Sequence, residues 1–263
     1  MQISLASEPA APGAVNLDWA GATAGTAVVL DGLTEAPQTG CRHGTAWYVR
    51  QLGARLLAAV DAGAGLVDAL TAALAGVAAA HGGGCDLTHP GSPGATVAAA
   101  RARPDGVEYL VLADAVVILD AGDEVLAVTD QRVLDHLPEL RTAATAGAGP
   151  AALGALIEAQ TALRNRPGGY PVAQADPGSA ATALTGTVPG VRSALLLSDG
   201  AALLATDFAA ASWRELLDLA TAAGPAAVIA ATRELEARDA DRRVWPRYKA
   251  SDDATAVLLE IHP

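Results

Sequence analysis

Four acidic residues stand where apolar runs of this chain stop. Ala27-Val28-Val29-Leu30 ends on Asp31-Gly32, and Ala194-Leu195-Leu196-Leu197 passes through Ser198 into Asp199-Gly200. Tyr109-Leu110-Val111-Leu112 leads through Ala113 to Asp114, and Asp252-Asp253 comes directly before Ala254-Thr255-Ala256-Val257-Leu258-Leu259. Short runs rich in branched apolar side chains read as buried strands, so each acid is carried to a strand end. Asp-Gly is also ordinary turn chemistry, and Asp is a favoured helix N-cap. Recurrence is what points beyond turns. Carboxylates gathered on one edge of a sheet core repel one another, and a divalent cation with oxygen ligands relieves that repulsion.

The elements that must carry these acids can be read in order. Gln2 to Ala6 looks like a first strand, and Pro9 to Gly13 is a loop leading to Val15-Asn16-Leu17-Asp18-Trp19. After the strand at 26–30 and a loop from Thr34 to Cys41, Tyr48, Leu52, Leu56 and Val60 recur at helical spacing. Leu66, Leu70, Leu74 and Val77 mark a second helix that Gly82-Gly83-Gly84 ends. Runs at about 95–102, 107–113, 115–119 and 124–129 read as a meander of antiparallel strands, with Pro104-Asp105-Gly106 and Ala121-Gly122-Asp123 as turns. Leu153, Leu156, Ile157, Gln160 and Leu163 make a third helical face, followed by a loop at 164–169. Ser212-Trp213-Arg214-Glu215 is a capping box, Gly224-Pro225 divides two helices, and 242–251 is a polar loop before the last strand. Strands, two helices, four strands, then helices and strand is not the alternation of a doubly wound sheet; it suits an α+β layering. No shift of composition divides the chain, which is read as one domain over 1–263.

Composition narrows the function. Of 263 residues, 51% are hydrophobic but only 3% aromatic, so small side chains must pack closely. A net charge of −12 argues against nucleic acid and against an anionic membrane surface as partners. Lys249 is the only lysine. No apolar run approaches a membrane span, and Met1 to Glu8 lacks the basic and apolar regions of a signal peptide. With two cysteines in such a length, the expectation is a cytoplasmic protein without a disulfide framework.

Taken in order, the acidic stations resemble the protein phosphatase 2C family of metal-dependent Ser/Thr phosphatases. Asn16-Leu17-Asp18 is similar to its N-terminal Asn-Glu-Asp, and Val29-Leu30-Asp31-Gly32 to its apolar-apolar-Asp-Gly strand end. Pro93-Gly94-Ala95-Thr96 resembles Ser-Gly-Ser/Thr-Thr, Leu112-Ala113-Asp114-Ala115 stands at Gly-Asp-Ser, and Thr129-Asp130 at the end of the following hairpin. Leu197-Ser198-Asp199-Gly200 carries the Ser-Asp-Gly motif intact, and Asp252-Asp253-Ala254-Thr255 stands for Asp-Asn-x-Thr. The resemblance covers nearly the whole chain and implies two packed antiparallel sheets flanked by helices. It implies that Asp31 bridges two Mn²⁺ or Mg²⁺ ions, that the Gly32 carbonyl binds one, and that Asp199 and Asp252 complete the other. Asp18 would hold water in the second shell, and Asp114 would serve a third ion. Two such ions roughly 3.5–4 Å apart acidify a shared water for in-line attack on phosphorus. The implied substrate is a phosphorylated protein, as its phosphoserine or phosphothreonine monoester.

The chain also departs from that pattern. Gly13 stands where the family has its phosphate-gripping arginine, Leu33-Thr34 follows Asp31-Gly32 where some members have a histidine acid, and Asp253 replaces Asn. Arg42, Arg164 or Arg166 could supply the cation and His43 the acid, since all four lie in loops; Arg42, Arg166 and His43 are the chosen candidates. The alternative reading is a phosphatase-like module, weak or inactive in catalysis, that binds a partner or phosphoprotein.

Cys41-Arg42-His43 and Cys85-Asp86-Leu87-Thr88-His89 together offer two cysteines and two histidines. Cys-x-His and Cys-x-x-x-His are unusual zinc spacings, so the expectation is buried thiols or a Cys41–Cys85 contact rather than zinc. His81 and His136 are read as surface residues and His262 as tail. Trp47, Trp213 and Trp245 are expected to pack in the core or cover loops. There is no G-x-S-x-G and no Walker loop.

Overall fold

The apolar runs do become strands, and most are buried on both faces. A computed structural model describes residues 1–145 and 150–261; His262 lies outside them. Its elements begin with β1 (Gln2–Glu8), β2 (Trp19–Ala22) and β3 (Thr26–Gly32), then α1 (Thr45–Asp61) and α2 (Leu66–Ala80). Four strands follow: β4 (Ala95–Arg103), β5 (Gly106–Leu112), β6 (Val116–Asp120) and β7 (Val125–Val128). The second half carries α3 (Pro138–Thr145), α4 (Pro150–Leu163), β8 (Leu184–Val188), β9 (Ser193–Leu197), the single turn α5 (Asp199–Ala202), α6 (Trp213–Ala223), α7 (Pro225–Arg238) and β10 (Ala254–Glu260).

Two antiparallel five-stranded sheets result, in the orders β1-β10-β9-β6-β7 and β2-β3-β4-β5-β8. Side chains alternate between faces along a strand, and the burial divides accordingly. Ala27 and Val29 on β3, Ala98 and Ala100 on β4, and Val111 on β5 meet Val117, Leu119, Leu196, Val257 and Leu259 of the other sheet. Val28, Leu30, Val97 and Ala99 face the opposite way, onto Tyr48, Leu52 and Leu56 of α1 and Leu70 and Leu74 of α2. The other sheet turns Ile118, Leu195, Leu197, Ala256 and Leu258 towards Leu216, Leu217, Val228 and Ile229 of α6 and α7. The order of layers is helices, sheet, sheet, helices, as the α+β reading required. Trp47, Trp213 and Trp245 are partly buried against the outer layers. Among the described residues no helix is long and apolar enough to cross a membrane.

One expectation needs correction. The strands of 95–129 are not one meander: β4 pairs with β5 in one sheet and β6 with β7 in the other. The chain crosses between sheets at Ala113-Asp114-Ala115, where Ala113 takes φ 63°. The stretches that meet here, Leu110-Val111-Leu112 and Val116-Val117-Ile118, are buried on both faces, so alternation carries no sign of the change of sheet. The sequence reading also left out α3 and β8; β8, Leu-Thr-Gly-Thr-Val, is a largely exposed edge strand.

Candidate functional site

Antiparallel register fixes which strand ends share an edge. Asp31 pairs with Thr96, and Val97 pairs with Leu112, which sets the end of β3, the start of β4 and the end of β5 together. In the other sheet Leu197 pairs with both Val116 and Ala256, bringing the start of β6, the end of β9 and the start of β10 to one level. Asp31, Asp114, Asp199 and Asp252 all leave these ends, and all four line one cavity of about 280 Å³. Gly32 and Thr96 line it too.

Local sequence explains the closeness of the approach. Asp199 opens α5 directly after Ser198, whose Oγ accepts the Thr255 N–H at 2.9 Å and so ties β9 to the start of β10. At Gly200 a Cβ would fall 2.0 Å from the Asp253 carbonyl oxygen, so only glycine lets the Asp199 turn sit against Asp252-Asp253. Asp253 is the acid that replaces Asn in the family pattern. Its carboxylate accepts the Ala10 and Leu17 N–H groups, each at 2.7 Å, and anchors the loop that leads to Asp18.

The carboxyls perturb one another strongly. Burial, then Asp199, Asp18, Asp252 and Asp114, push the Asp31 carboxyl well above the usual range. Asp199 is raised by burial and by Asp114, with Lys249 and the Asp31 side chain working the other way. Asp252 is raised to about 6 by burial and Asp199, against the pull of Lys249, whose Nζ donates to Asp252 Oδ1 at 2.7 Å. Asp114 is raised by burial, with Arg141 opposing and Asp130 and Asp252 adding. Asp18 does not line the cavity; it is 7% exposed, and neither carboxylate oxygen has a hydrogen-bond partner. Burial raises it to about 7; the neighbouring Thr255 and Ser198 side chains oppose this, and Asp199 and Asp253 add to it.

The basic and acid–base candidates fall elsewhere. Arg42 and Arg166 are exposed and do not line the cavity. Arg42 lies against Gly84, and Arg166 is separated from Arg164 by Asn165, which takes φ 52° and turns the loop. His43 stacks on Trp47 with ring centroids 4.3 Å apart, beside the two cysteines, and it is also absent from the cavity wall. The cations that do line it are Arg141, Arg164, Arg247 and Lys249. Arg247 is held by Asp239 and backbone carbonyls, and Lys249 by Asp252. Arg164 is buried with its Nε unpartnered, and burial lowers its pKa, with Tyr170 opposing. Arg141 stacks over Tyr248 at 5.4 Å. Nothing in the sequence marks Arg141; Arg164 was in view, but its loop shows no periodicity to choose between two arginines two residues apart. Leu153, Leu156 and Ile157 of α4, with Tyr170 and Val172, supply apolar lining.

The donor set is chemically suited to hard divalent cations: several buried carboxylates that raise one another, and a backbone turn at Gly32.

No family model and no curated protein matches the sequence. Solved structures do match in fold. The Mycobacterium tuberculosis serine/threonine phosphatase PstP/Ppp is 18% identical with a TM-score of 0.60, over 100% of this chain and 99% of that one. The catalytic domain of PstP in complex with two manganese ions is 17% identical with a TM-score of 0.60, over 100% and 98%. The PPM Ser-Thr phosphatase MsPP from Mycobacterium smegmatis, in complex with cacodylate, is 20% identical with a TM-score of 0.56, over 100% and 99%. At such identities the likeness is one of fold: two antiparallel sheets with flanking helices, as in these PPM-type phosphatases.

Proposed function

We infer that this chain is a metal-dependent phosphomonoesterase acting on phosphoserine or phosphothreonine in a phosphorylated protein. The observation that carries the reading is the meeting of Asp31, Asp114, Asp199 and Asp252 in one cavity, where burial and one another's charge raise all four carboxyls. Asp31, the Gly32 carbonyl, Asp199 and Asp252 would hold Mn²⁺ or Mg²⁺ in two sites, and Asp114 would serve a third. Such ions, when bound, supply Lewis acidity that acidifies water and neutralises phosphoryl oxygens. The chain's own residues divide the remaining work. Arg164, with an unpartnered buried Nε, and Arg141 both line the cavity and would grip the phosphoryl oxygens in place of Arg42 and Arg166. Asp18, buried outside the cavity lining, adds its charge to those that raise the Asp31 carboxyl. The apolar face of α4 keeps bulk water from the reacting group.

Hydrolysis of p-nitrophenyl phosphate tests the reading. Turnover stimulated by Mn²⁺, lost in Asp199→Ala and weakened through KM in Arg164→Ala, is the expected result; no turnover in millimolar Mn²⁺ overturns it. A second reading, a module that binds phosphoprotein without hydrolysing it, is favoured by the Lys249–Asp252 ion pair, which places a cation of the chain itself among the acids, and by Gly13 in an exposed loop. Calorimetric titration with Mn²⁺ separates the two: two ions bound favours the enzyme, none the module.

A further inference from the structure

Away from the acidic cavity, four soft donors converge in a place where the sequence spacing offered no zinc motif. Cys41 and His43 lie in the loop before α1, His81 caps the end of α2, and Cys85 follows the Gly82-Gly83 turn, whose positive φ values of 63° and 73° bring the chain back. One ligand atom from each of the four lies within 4.8 Å of the others. The Cys41 and Cys85 sulfurs are 3.4 Å apart, and His43 Nδ1 is 3.7 Å from the first and 3.4 Å from the second. A tetrahedral zinc with Zn–S of about 2.3 Å and Zn–N of about 2.0 Å sets S···S at about 3.8 Å and S···N at about 3.5 Å. The cluster is already close to that shape.

His81 adds an independent observation and a correction. It was expected at the surface, yet it is 2% exposed. Its Nδ1 lies 2.8 Å from the Val77 carbonyl oxygen, a partner that can only accept, so Nδ1 carries the proton and Nε2 the free lone pair. Nε2 is buried without any partner. A ligating histidine held through its other nitrogen by a backbone carbonyl is the usual way a protein orients an imidazole towards a metal. Trp47 fixes both rings, stacked on His43 and edge-on to His81 at 4.8 Å. The His43 backbone N–H donates to Cys41 Sγ at 3.3 Å, as it would to a metal-bound sulfur. His89, the histidine that sequence spacing paired with Cys85, is engaged elsewhere: its Nδ1 accepts the Gly91 N–H at 3.0 Å. A disulfide would join two of the donors and leave the His81 nitrogen orphaned.

The geometry points to a structural zinc site made of Cys41, His43, His81 and Cys85. Four protein donors and no open position make it a closed site rather than a catalytic one, and two sulfurs with two imidazole nitrogens select zinc over the hard cations of the acidic cavity. The ion ties the 33–44 segment, which runs on from Asp31-Gly32, to the end of α2. That segment already touches α1, since the Glu35 carboxylate accepts the Thr45 N–H at 2.7 Å. The site is independent of the phosphatase reading, and either can fail alone.

Elemental analysis of chain purified without chelator is expected to give one zinc per chain, with both thiols protected from thiol reagents until zinc is removed. Replacement by Co²⁺ should give thiolate-to-cobalt charge-transfer bands and the visible d–d bands of a tetrahedral centre. Cys85→Ser and His81→Ala should lose the zinc, and His89→Ala should keep it. Should the first two fail to fold, the stoichiometry and cobalt spectrum of the unaltered chain decide. Absence of zinc after reconstitution, with thiols that stay freely reactive or form a disulfide, overturns the assignment.

Discussion

Asp18 is held where a carboxylate is poorly accommodated. Its oxygens are buried and unpartnered, and its pKa rises from 3.8 to about 7. A folded-state value above the unfolded one means that the folded chain binds the proton more tightly. Stability is then fully present below pH 3.8 and is lost as pH rises through about 7. Three units correspond to about 4 kcal/mol at full ionisation. Asp18→Asn, neutral at every pH, should therefore melt at a higher temperature than the parent chain at pH 8 without added divalent cation, with the difference vanishing near pH 4. A gain equal at both pH values would show that the carboxyl's charge is not its source. At this scale the sequence was legible where one short pattern carries both strand and acid, as in Val-Val-Leu-Asp-Gly and Leu-Leu-Leu-Ser-Asp-Gly. It was not legible for Arg141 or His81, whose surroundings come from segments distant in the chain, nor for the choice of Arg164 over Arg166.

Among the elements, α1 and β2 show how a small-residue core reaches close packing. The Trp19 ring sits between them, and a Cβ on Gly53 of α1 would fall 2.2 Å from its Cε3. Gly53→Ala gains about 1 kcal/mol in helix propensity, but displacing a wedged indole costs about 1–3 kcal/mol. The expected outcome is net destabilisation with a shifted tryptophan emission; a melting temperature above the parent's would show that the ring moves freely. The helices were legible because Tyr48, Leu52, Leu56 and Val60 repeat at helical spacing, and the Ser212–Glu215 capping box forms as read. Pairing was not. β5 and β6 differ only in which sheet they join, and doubly buried strands carry no alternation to say so. α3 escaped because its apolar face is weak: Ala144 is its only buried residue.

For the whole molecule the governing fact is charge: −12 overall, with Asp31, Asp114, Asp199 and Asp252 among the acids lining a single cavity. Protons and divalent cations compete for the same oxygens. As pH falls the carboxyls, all raised by burial and by one another, take up protons, Asp252 at about 6, so a cation must displace protons to enter. As pH rises they ionise and repel one another, and binding relieves the repulsion. Mg²⁺ is the informative probe, because a hard cation has no affinity for the Cys41–His43–His81–Cys85 cluster. At one hundred times its dissociation constant a ligand stabilises the folded state by about 2.7 kcal/mol, which for a chain of this size raises the melting temperature by roughly 5–10 °C. The rise should be full at pH 7.5, shrink at pH 5.5, and disappear in Asp31→Asn at either pH. Calorimetric melts with and without Mg²⁺ measure it. A rise that survives in Asp31→Asn, or that grows as pH falls, would place the cation somewhere other than among these four carboxylates, and the phosphatase reading would lose the feature on which it stands.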